Sequence, residues 1–363
     1  ILDRNTGKNL YDINFEKVST LATPGESPSP YQKSFSKPEK FSSIEFNDES
    51  FSELSKQKKV FINKELKNKI YGKFIPPSFE KDLVIFGLHG GAQWMGATID
   101  PKNQNLYVPY NKVPHIIKLY MQSMEHKVFN NKKFQTSMNL YKSKCSSCHG
   151  KIRNGKYEVK RDIHNAKNYV PSLVGISFLK DGRTRIDNIN LKHNFKLNIN
   201  EKDALYSLFN EWDQKINKEN LIRVEGNYWY EFLTPDGLPA SNPPWGGIAK
   251  LNLITNKIEW KKPVGKLPGE QKHIGLRNFG GIASNSGGLL FFTGTSDSNA
   301  YILDQITGEI LWSFKMDGPG SAPPTLFEVD GNQYVAFLST GGQVNEMYKK
   351  KSSVLYTFRI NTN

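Results

Sequence analysis

Short apolar runs punctuated by turn formers dominate the two ends of the chain. "DLVIF" (Asp82 to Phe86), "NLYVP" (Asn105 to Pro109), "GGLLFFTG" (Gly287 to Gly294) and "NQYVAFLS" (Asn332 to Ser339) are rich in β-branched and aromatic residues and are bounded by Gly, Pro, Asn and Asp. Such runs predict strands with tight connections. They fill Ile1 to Met124 and Val224 to Asn363. Between them, from Glu125 to Arg223, the period changes. Phe134, Met138 and Tyr141 fall at i, i+4 and i+7, and Leu205, Leu208, Phe209 and Trp212 form a second helical stripe, with Asn200 as its expected N-cap. The chain therefore divides into strands over 1–124, a helical insertion over 125–223, and strands over 224–363.

The outer parts carry a weak internal repeat. "ILDRNTGKNLYD" (Ile1 to Asp12), "KLNLITNKIEWKKPVG" (Lys250 to Gly265) and "ILDQITGEILWSFKM" (Ile302 to Met316) each read strand, polar turn, strand, and "TIDPKNQNLYVP" (Thr98 to Pro109) is a looser copy. Thr-Gly or Thr-Asn supplies a residue tolerant of positive φ where the hairpin reverses. A two-stranded unit cannot bury its own faces, so repeated copies predict sheets stacked around an axis, as in a β-propeller; a β-sandwich with similar hairpins is the alternative. The polar, Lys-rich stretch Glu39 to Asn68 is expected to run over the surface, with a short helix near Ser52 to Lys59. The expected class is all-β with a small all-α insertion.

Composition narrows this picture. The chain has 363 residues and 37% hydrophobic content, with 22 Phe and 16 Tyr, enough for two structural units with their own cores. No apolar run approaches the roughly 20 residues of a membrane-spanning helix. The opening Ile1-Leu2-Asp3 reads as mid-strand, so a mature product or a fragment is expected. A formal charge of +14 would permit nucleic acid or an anionic membrane, but the lysines are scattered among acids and asparagines, which points to a solvated basic surface and to acidic protein partners instead.

Only two cysteines occur, in "YKSKCSSCHGK" (Tyr141 to Lys151). A CxxC pair can be a redox couple, half a zinc site or a thioether-bound haem. No further cysteine is present to complete a zinc knuckle, and a thioredoxin-like βαβ context is missing. Two thiols three residues apart suit addition to the two vinyl groups of one haem c, and the adjacent His149 then falls beneath the iron as an axial ligand. Cys145 and Cys148 are the expected thioether residues.

The middle segment resembles small c-type cytochromes. "NYVPSLVGI" (Asn168 to Ile176) is similar to their Pro-x-Leu element, in which the proline, here Pro171, braces the haem on the histidine side. That family usually supplies a methionine from a loop before the last helix. Here "NINLKHNFKLN" (Asn188 to Asn198) has none, and His193 is the nearest candidate for a second axial ligand; His164, or no sixth ligand at all, remain open.

The outer segments resemble pyrroloquinoline quinone (PQQ) dependent dehydrogenases of the membrane glucose dehydrogenase type. The resemblance is carried by "PPSFEKDLVIFGLHGGAQWMGATIDPKNQNLYVPYNKVP" (Pro76 to Pro114), "LPASNPPWGGIAKLNLITNKIEWKKPVG" (Leu238 to Gly265), "FGGIASNSGGLLFFTGTSDSNAYILDQITGEILWSF" (Phe279 to Phe314) and "APPTLFEVDGNQYVAFLSTGG" (Ala322 to Gly342), in the family's order. It implies about half of an eight-bladed propeller, with Trp260 and Trp312 in the blade-locking turns. It also implies PQQ, held on a divalent cation such as Ca²⁺, near Gln93, Trp94, Asn278 and, more weakly, Trp245. Two departures stand out. Pro109 occupies a place where relatives tend to carry Asn, and the family's catalytic aspartate and quinone-contacting lysine fall before the motif at which this chain begins. The resemblance implies the C-terminal portion of a periplasmic alcohol or sugar dehydrogenase whose inserted haem passes electrons to an acidic protein or quinone acceptor, near the run Lys142, Lys144, Lys151, Arg153, Lys156, Lys160 and Arg161. An electron carrier on a docking propeller, and a scaffold propeller without quinone, are the alternatives.

Overall fold

The computed structural model describes residues 2–21, 23, 26–88, 91–125, 127–156, 170–226, 231–340 and 352–360. In chain order the elements are β1 (Ile13–Lys17), β2 (Tyr31–Phe35), α1 (Lys56–Leu66), β3 (Lys69–Tyr71), β4 (Asp82–Ile85), β5 (Thr98–Asp100), β6 (Asn105–Asn111), β7 (His115–Ile117) and β8 (Leu119–Ser123). There follow α2 (Gln135–Lys144), α3 (Ser146–His149), α4 (Gly182–Asp187) and α5 (Ile199–Lys218), then β9 (Ile222–Gly226), β10 (Gly246–Asn252), β11 (Lys257–Pro263), β12 (Ile282–Ser284), β13 (Leu289–Phe292), β14 (Asn299–Asp304), β15 (Ile310–Lys315), β16 (Thr325–Val329), β17 (Asn332–Ser339) and β18 (Val354–Arg359).

Three antiparallel sheets stack in succession. Their strand orders are β11-β10-β6-β5, β12-β13-β14-β15 and β16-β17-β18. Tyr107 and Ile248 of the first, with Val264 just beyond β11, pack on Leu290, Phe292, Tyr301 and Leu303 of the second. Phe291 and Ala300, pointing the other way, pack on Val335 and Phe337 of the third. The middle sheet is thus buried on both faces, which is why β13 reads as an unbroken apolar run rather than an alternation.

All four repeat copies turn on the same device, although the first is closed by a single bridge between Leu2 and Asn9 instead of paired strands. A side-chain oxygen of Asp3, Asp100, Asn252 or Asp304 accepts from the backbone amides two and three residues later. The residue four positions on, Gly7, Gln104, Asn256 or Gly308, has φ between 51° and 69°. The shared signal is therefore the leading Asp or Asn more than the Thr-Gly dipeptide. At Gly308 the turn also presses on the preceding sheet: an added Cβ would meet the Trp260 ring at 3.0 Å.

The stretch 39–68 departs from expectation. Its helix α1 starts later and runs longer than Ser52 to Lys59, capped by Ser55. Phe46, Phe51, Ile62 and Leu66 are buried with Val84, Phe86, Ile116 and Phe232. Lysines between the apolar positions made the segment read as surface, but four large side chains on one side of it are enough to dock it.

The helical segment leaves and returns through β8 and β9, which pair from Leu119↔Gly226 to Ser123↔Ile222. Strands β5 and β6 precede it and β10 and β11 follow it, yet all four belong to one sheet. The excursion therefore interrupts a single sheet rather than falling between two. Asn154 fastens it to β8, accepting from Ser123 N at 2.6 Å and donating to Ser123 O at 2.9 Å. The segment has its own core, with Met138, Tyr141, Leu205, Leu208, Phe209, Trp212 and Ile216 at its centre. Helix α5 begins two residues earlier than expected. Its N-cap is Asn198, not Asn200, because Glu201 reaches back to the Asn198 amide and completes a capping box.

Candidate functional site

Two constellations of polar side chains stand apart from the general packing. The first is built on the CxxCH turn. Helix α2 runs into Cys145, whose carbonyl accepts from Cys148 N and His149 N, so the five residues form one turn that carries both sulfurs and the imidazole. Cys145 is buried, Cys148 exposed, and the two thiols are not joined to each other. Burial, with Cys148 adjacent, pushes the Cys145 thiol up to about 11.

His149 is buried, and its Nδ1 lies 2.9 Å from the carbonyl of Pro171. A carbonyl only accepts, so Nδ1 carries the proton and Nε2 keeps a free lone pair. Burial lowers the His149 pKa, the Pro171 carbonyl works against this, and His193 lowers it further, favouring the neutral form a metal requires. His193 is held in the same manner, its Nδ1 3.1 Å from the carbonyl of Ile189. The two ring centroids are 6.1 Å apart. An imidazole nitrogen sits ~2 Å from a first-row metal and about 1 Å from its own ring centre, so two imidazoles on opposite sides of one ion need roughly 6 Å between centroids. The spacing fits an iron between them, and the anchored Nδ1 atoms leave both Nε2 atoms to ligate. His164 lies outside the described residues. Among the described residues no group of three or more His, Cys, Asp or Glu could hold an ion by itself.

Around this turn the basic run is only partly what the sequence suggested. Lys142, Lys144, Lys151 and Lys156 are exposed, whereas Arg153 is completely buried. It pairs with Asp213 of α5 at 2.7 Å and lies 4.3 Å from the Trp212 ring centre. Lys160 and Arg161 are outside the described residues.

The second constellation gathers Gln93 and Asn278, 185 residues apart. The carbonyl of Asn278 accepts from Gln93 Nε2 at 2.6 Å and from Asn111 Nδ2 at 2.8 Å. Asn278 N donates to Asn111 Oδ1 at 3.0 Å and Asn278 Nδ2 to the Tyr110 carbonyl at 3.1 Å. Gln93 Oε1 accepts from Trp94 N. Among the described residues one polar atom of this group is left over: Asn278 Oδ1, on a residue with no exposed surface, has no hydrogen-bond partner there. It can accept from an N–H or O–H of a bound group. Trp94 is 64% exposed, so its indole is open to stacking and is not wedged between sheets. Trp245 is buried against Val113 and Leu276, its Nε1 committed to Ser241 O at 2.8 Å, which makes it a core residue.

Asn111 went unnoticed in the sequence, although an Asn closing a buried strand is a visible signal. Pro109 still contributes, its carbonyl accepting from Gln93 N. The Gly280-Gly281 pair does permit a close approach, but to protein: an added Cβ at Gly280 would meet Thr293 O at 1.8 Å and one at Gly281 would meet Pro323 at 2.6 Å. Beside Asn278, Arg277 forms an ion pair with Glu231, itself bridged through the backbone to His115.

The family "Glucose/ethanol/alcohol dehydrogenase, beta-propeller domain", a PQQ family, matches residues 1–171 and 182–335. The chain belongs to this family. It is 37% identical over 120 residues to the quinoprotein glucose dehydrogenase of Escherichia coli (strain K12), covering 31% of this chain and 15% of that protein. A lupanine 17-hydroxylase [cytochrome c] from a Pseudomonas species is 44% identical over 68 residues, 19% of this chain and 10% of its own. Among solved structures, a quinohemoprotein alcohol dehydrogenase from Pseudomonas putida HK5 overlays on 76% of this chain and 28% of its own at 15% identity, with a TM-score of 0.37. The chain thus spans about 15% of the length of the curated glucose dehydrogenase it matches. No helix among the described residues is long and apolar enough to cross a membrane.

Proposed function

We propose that this member of the PQQ propeller family is the C-terminal portion of a periplasmic quinohaemoprotein dehydrogenase of alcohols or sugars, in which residues 125–223 form an inserted cytochrome c domain of a propeller of eight blades. The observation that carries the haem reading is the pair His149 and His193, each anchored through Nδ1 to a backbone carbonyl and with ring centres 6.1 Å apart, a spacing that suits one ion. Cys145 and Cys148 would hold the haem covalently, and His149 and His193 would take the two axial positions. A haem so held supplies reversible one-electron transfer. In the second constellation Asn278 Oδ1 would accept from a bound quinone, Trp94 would offer it a flat face, and Gln93 and Asn111 keep Asn278 in place by hydrogen bonds to its backbone. PQQ on a divalent cation such as Ca²⁺ would accept the hydride of the alcohol; none of the described residues is proposed as the base that takes the hydroxyl proton.

Electron carriage alone is a second reading, favoured by the extent to which Gln93 and Asn278 already satisfy one another. One experiment separates the two. The full-length protein, purified with its haem and incubated with PQQ, Ca²⁺ and an alcohol or glucose, is expected to develop the reduced haem α band only when all three are present. Haem that stays oxidised in the complete mixture, yet reduces with dithionite, would leave the carrier reading standing.

The exposed lysines at 142, 144, 151 and 156 make an acidic acceptor protein the expected electron partner. The rate of haem reoxidation by such an acceptor should fall steeply as ionic strength rises from 10 to 200 mM, roughly tenfold or more for a steered encounter. A rate indifferent to salt would exclude it.

A further inference from the structure

We propose that Arg153, held by Asp213, is a positioning residue for His149: it fixes the Pro171 carbonyl that accepts from the imidazole and so keeps the potential of the haem low. The inference rests on the haem reading above.

Arg153 stands four residues after His149, at the close of the same loop, where Gly155 N donates to His149 O. Its φ is +67°, a conformation glycine would adopt without strain and arginine adopts at a cost of about 1 kcal/mol. An arginine fully buried at such a place calls for a use of its guanidinium. That group is a two-pronged clamp. Nη1 donates to Leu173 O at 3.0 Å and Nη2 to Asp213 Oδ1 at 2.7 Å. The backbone of Arg153 grips the same segment, its carbonyl accepting from Leu173 N at 2.9 Å and Ser172 Oγ at 3.2 Å.

Asp213 completes the arrangement from α5. Besides Arg153 it accepts from Gly175 N at 2.9 Å, Ser177 N at 3.1 Å and Ser177 Oγ at 2.8 Å. Residues 172–177 are therefore tied at both ends to one buried ion pair, and Pro171, whose carbonyl meets His149 Nδ1, is the next residue in that segment. A strong hydrogen bond from Nδ1 makes an imidazole a better donor at Nε2 and stabilises the ferric over the ferrous ion. Loosening residues 171–173 weakens that bond and favours the ferrous state.

Charge and geometry predict different results, so the two can be told apart. Arg153→Lys keeps the positive charge but cannot reproduce the fork. With covalent haem present, the midpoint potential of Arg153→Lys, measured by optical redox titration, is expected to rise by the equivalent of a tenfold change in the ferrous to ferric ratio, ~59 mV. Asn154→Ala removes the two bonds to Ser123 from the same loop without touching residues 171–177, and its potential should stay at the wild-type value. An unchanged potential in Arg153→Lys, or an equal rise in Asn154→Ala, overturns the proposal while the haem reading survives. Wild-type protein without covalent haem sinks both. If Arg153→Lys does not accumulate, Ser177→Ala, which drops one of the bonds into Asp213, should give a smaller rise of the same sign, and no rise there overturns the proposal equally.

Discussion

Alanine in place of His193 should convert the haem from a closed, low-spin centre into one that binds carbon monoxide in the ferrous state within mixing time, whereas the wild-type protein should bind it slowly or not at all. The reason is the anchored pair. His149 and His193 are each held through Nδ1 and their centres lie 6.1 Å apart, so in the haem site proposed above both axial positions would be taken by side chains already in place. His193→Met should leave the haem attached and raise its midpoint potential by a few hundred millivolts, well within the ~0.8 V that axial ligands command. Absorption spectra of the two variants and redox titration of the second check this. Equal carbon monoxide binding in wild type and His193→Ala would take His193 out of the coordination sphere.

Gly280→Ala should be the most damaging single methyl group that can be added to the propeller sheets. Its Cβ would fall 1.8 Å from Thr293 O and 2.8 Å from Gly294 Cα, and the approach is equally close seen from Gly294, whose φ is +99° and whose added Cβ would fall 2.1 Å from Gly280 N. Backbone against backbone cannot relax by a rotamer change, so a loss of about 3 kcal/mol or more is expected in urea unfolding. The bridge between Asn278 and Thr295 lies beside it, so any quinone affinity should fall together with stability. Gly288→Ala is the matched control for crowding: φ is +88° but nothing lies within 4 Å of the added atom, and the cost there should be limited to backbone strain, about 1 to 2 kcal/mol.

Local chemistry made much of this legible in the sequence, and long-range geometry hid the rest. The stripe of Met138 and Tyr141, and that of Leu205, Leu208, Phe209 and Trp212, could be read because helical periodicity is a property of neighbours. The hairpin repeats were legible for the same reason. Gln93 and Asn278 were singled out by resemblance, and the sequence offered no means of seeing that they bond to one another across 185 residues, with Asn111 between them. Trp245 was misread because a tryptophan beside glycines looks the same whether it faces a ligand or a core. Arg153 was counted with surface lysines because its partner Asp213 is 60 residues away. The joining of β6 to β10 across the helical segment was hidden too, since no local pattern announces a sheet that is left and rejoined.

That rejoined sheet has a bearing on how the chain reaches its native state. Strand β10 must find β6 across 135 positions, from Asn111 to Gly246, and pairing at such separation is slow because the intervening chain has to be closed entropically before any contact rewards it. A helical core that forms first, its ends already drawn together in the β8 and β9 ladder, removes about 100 residues from that closure and lowers its cost by about 1 kcal/mol. On that route the order of events runs from inside outward. The excursion becomes a pre-tied loop, and the sheet it interrupts is completed last.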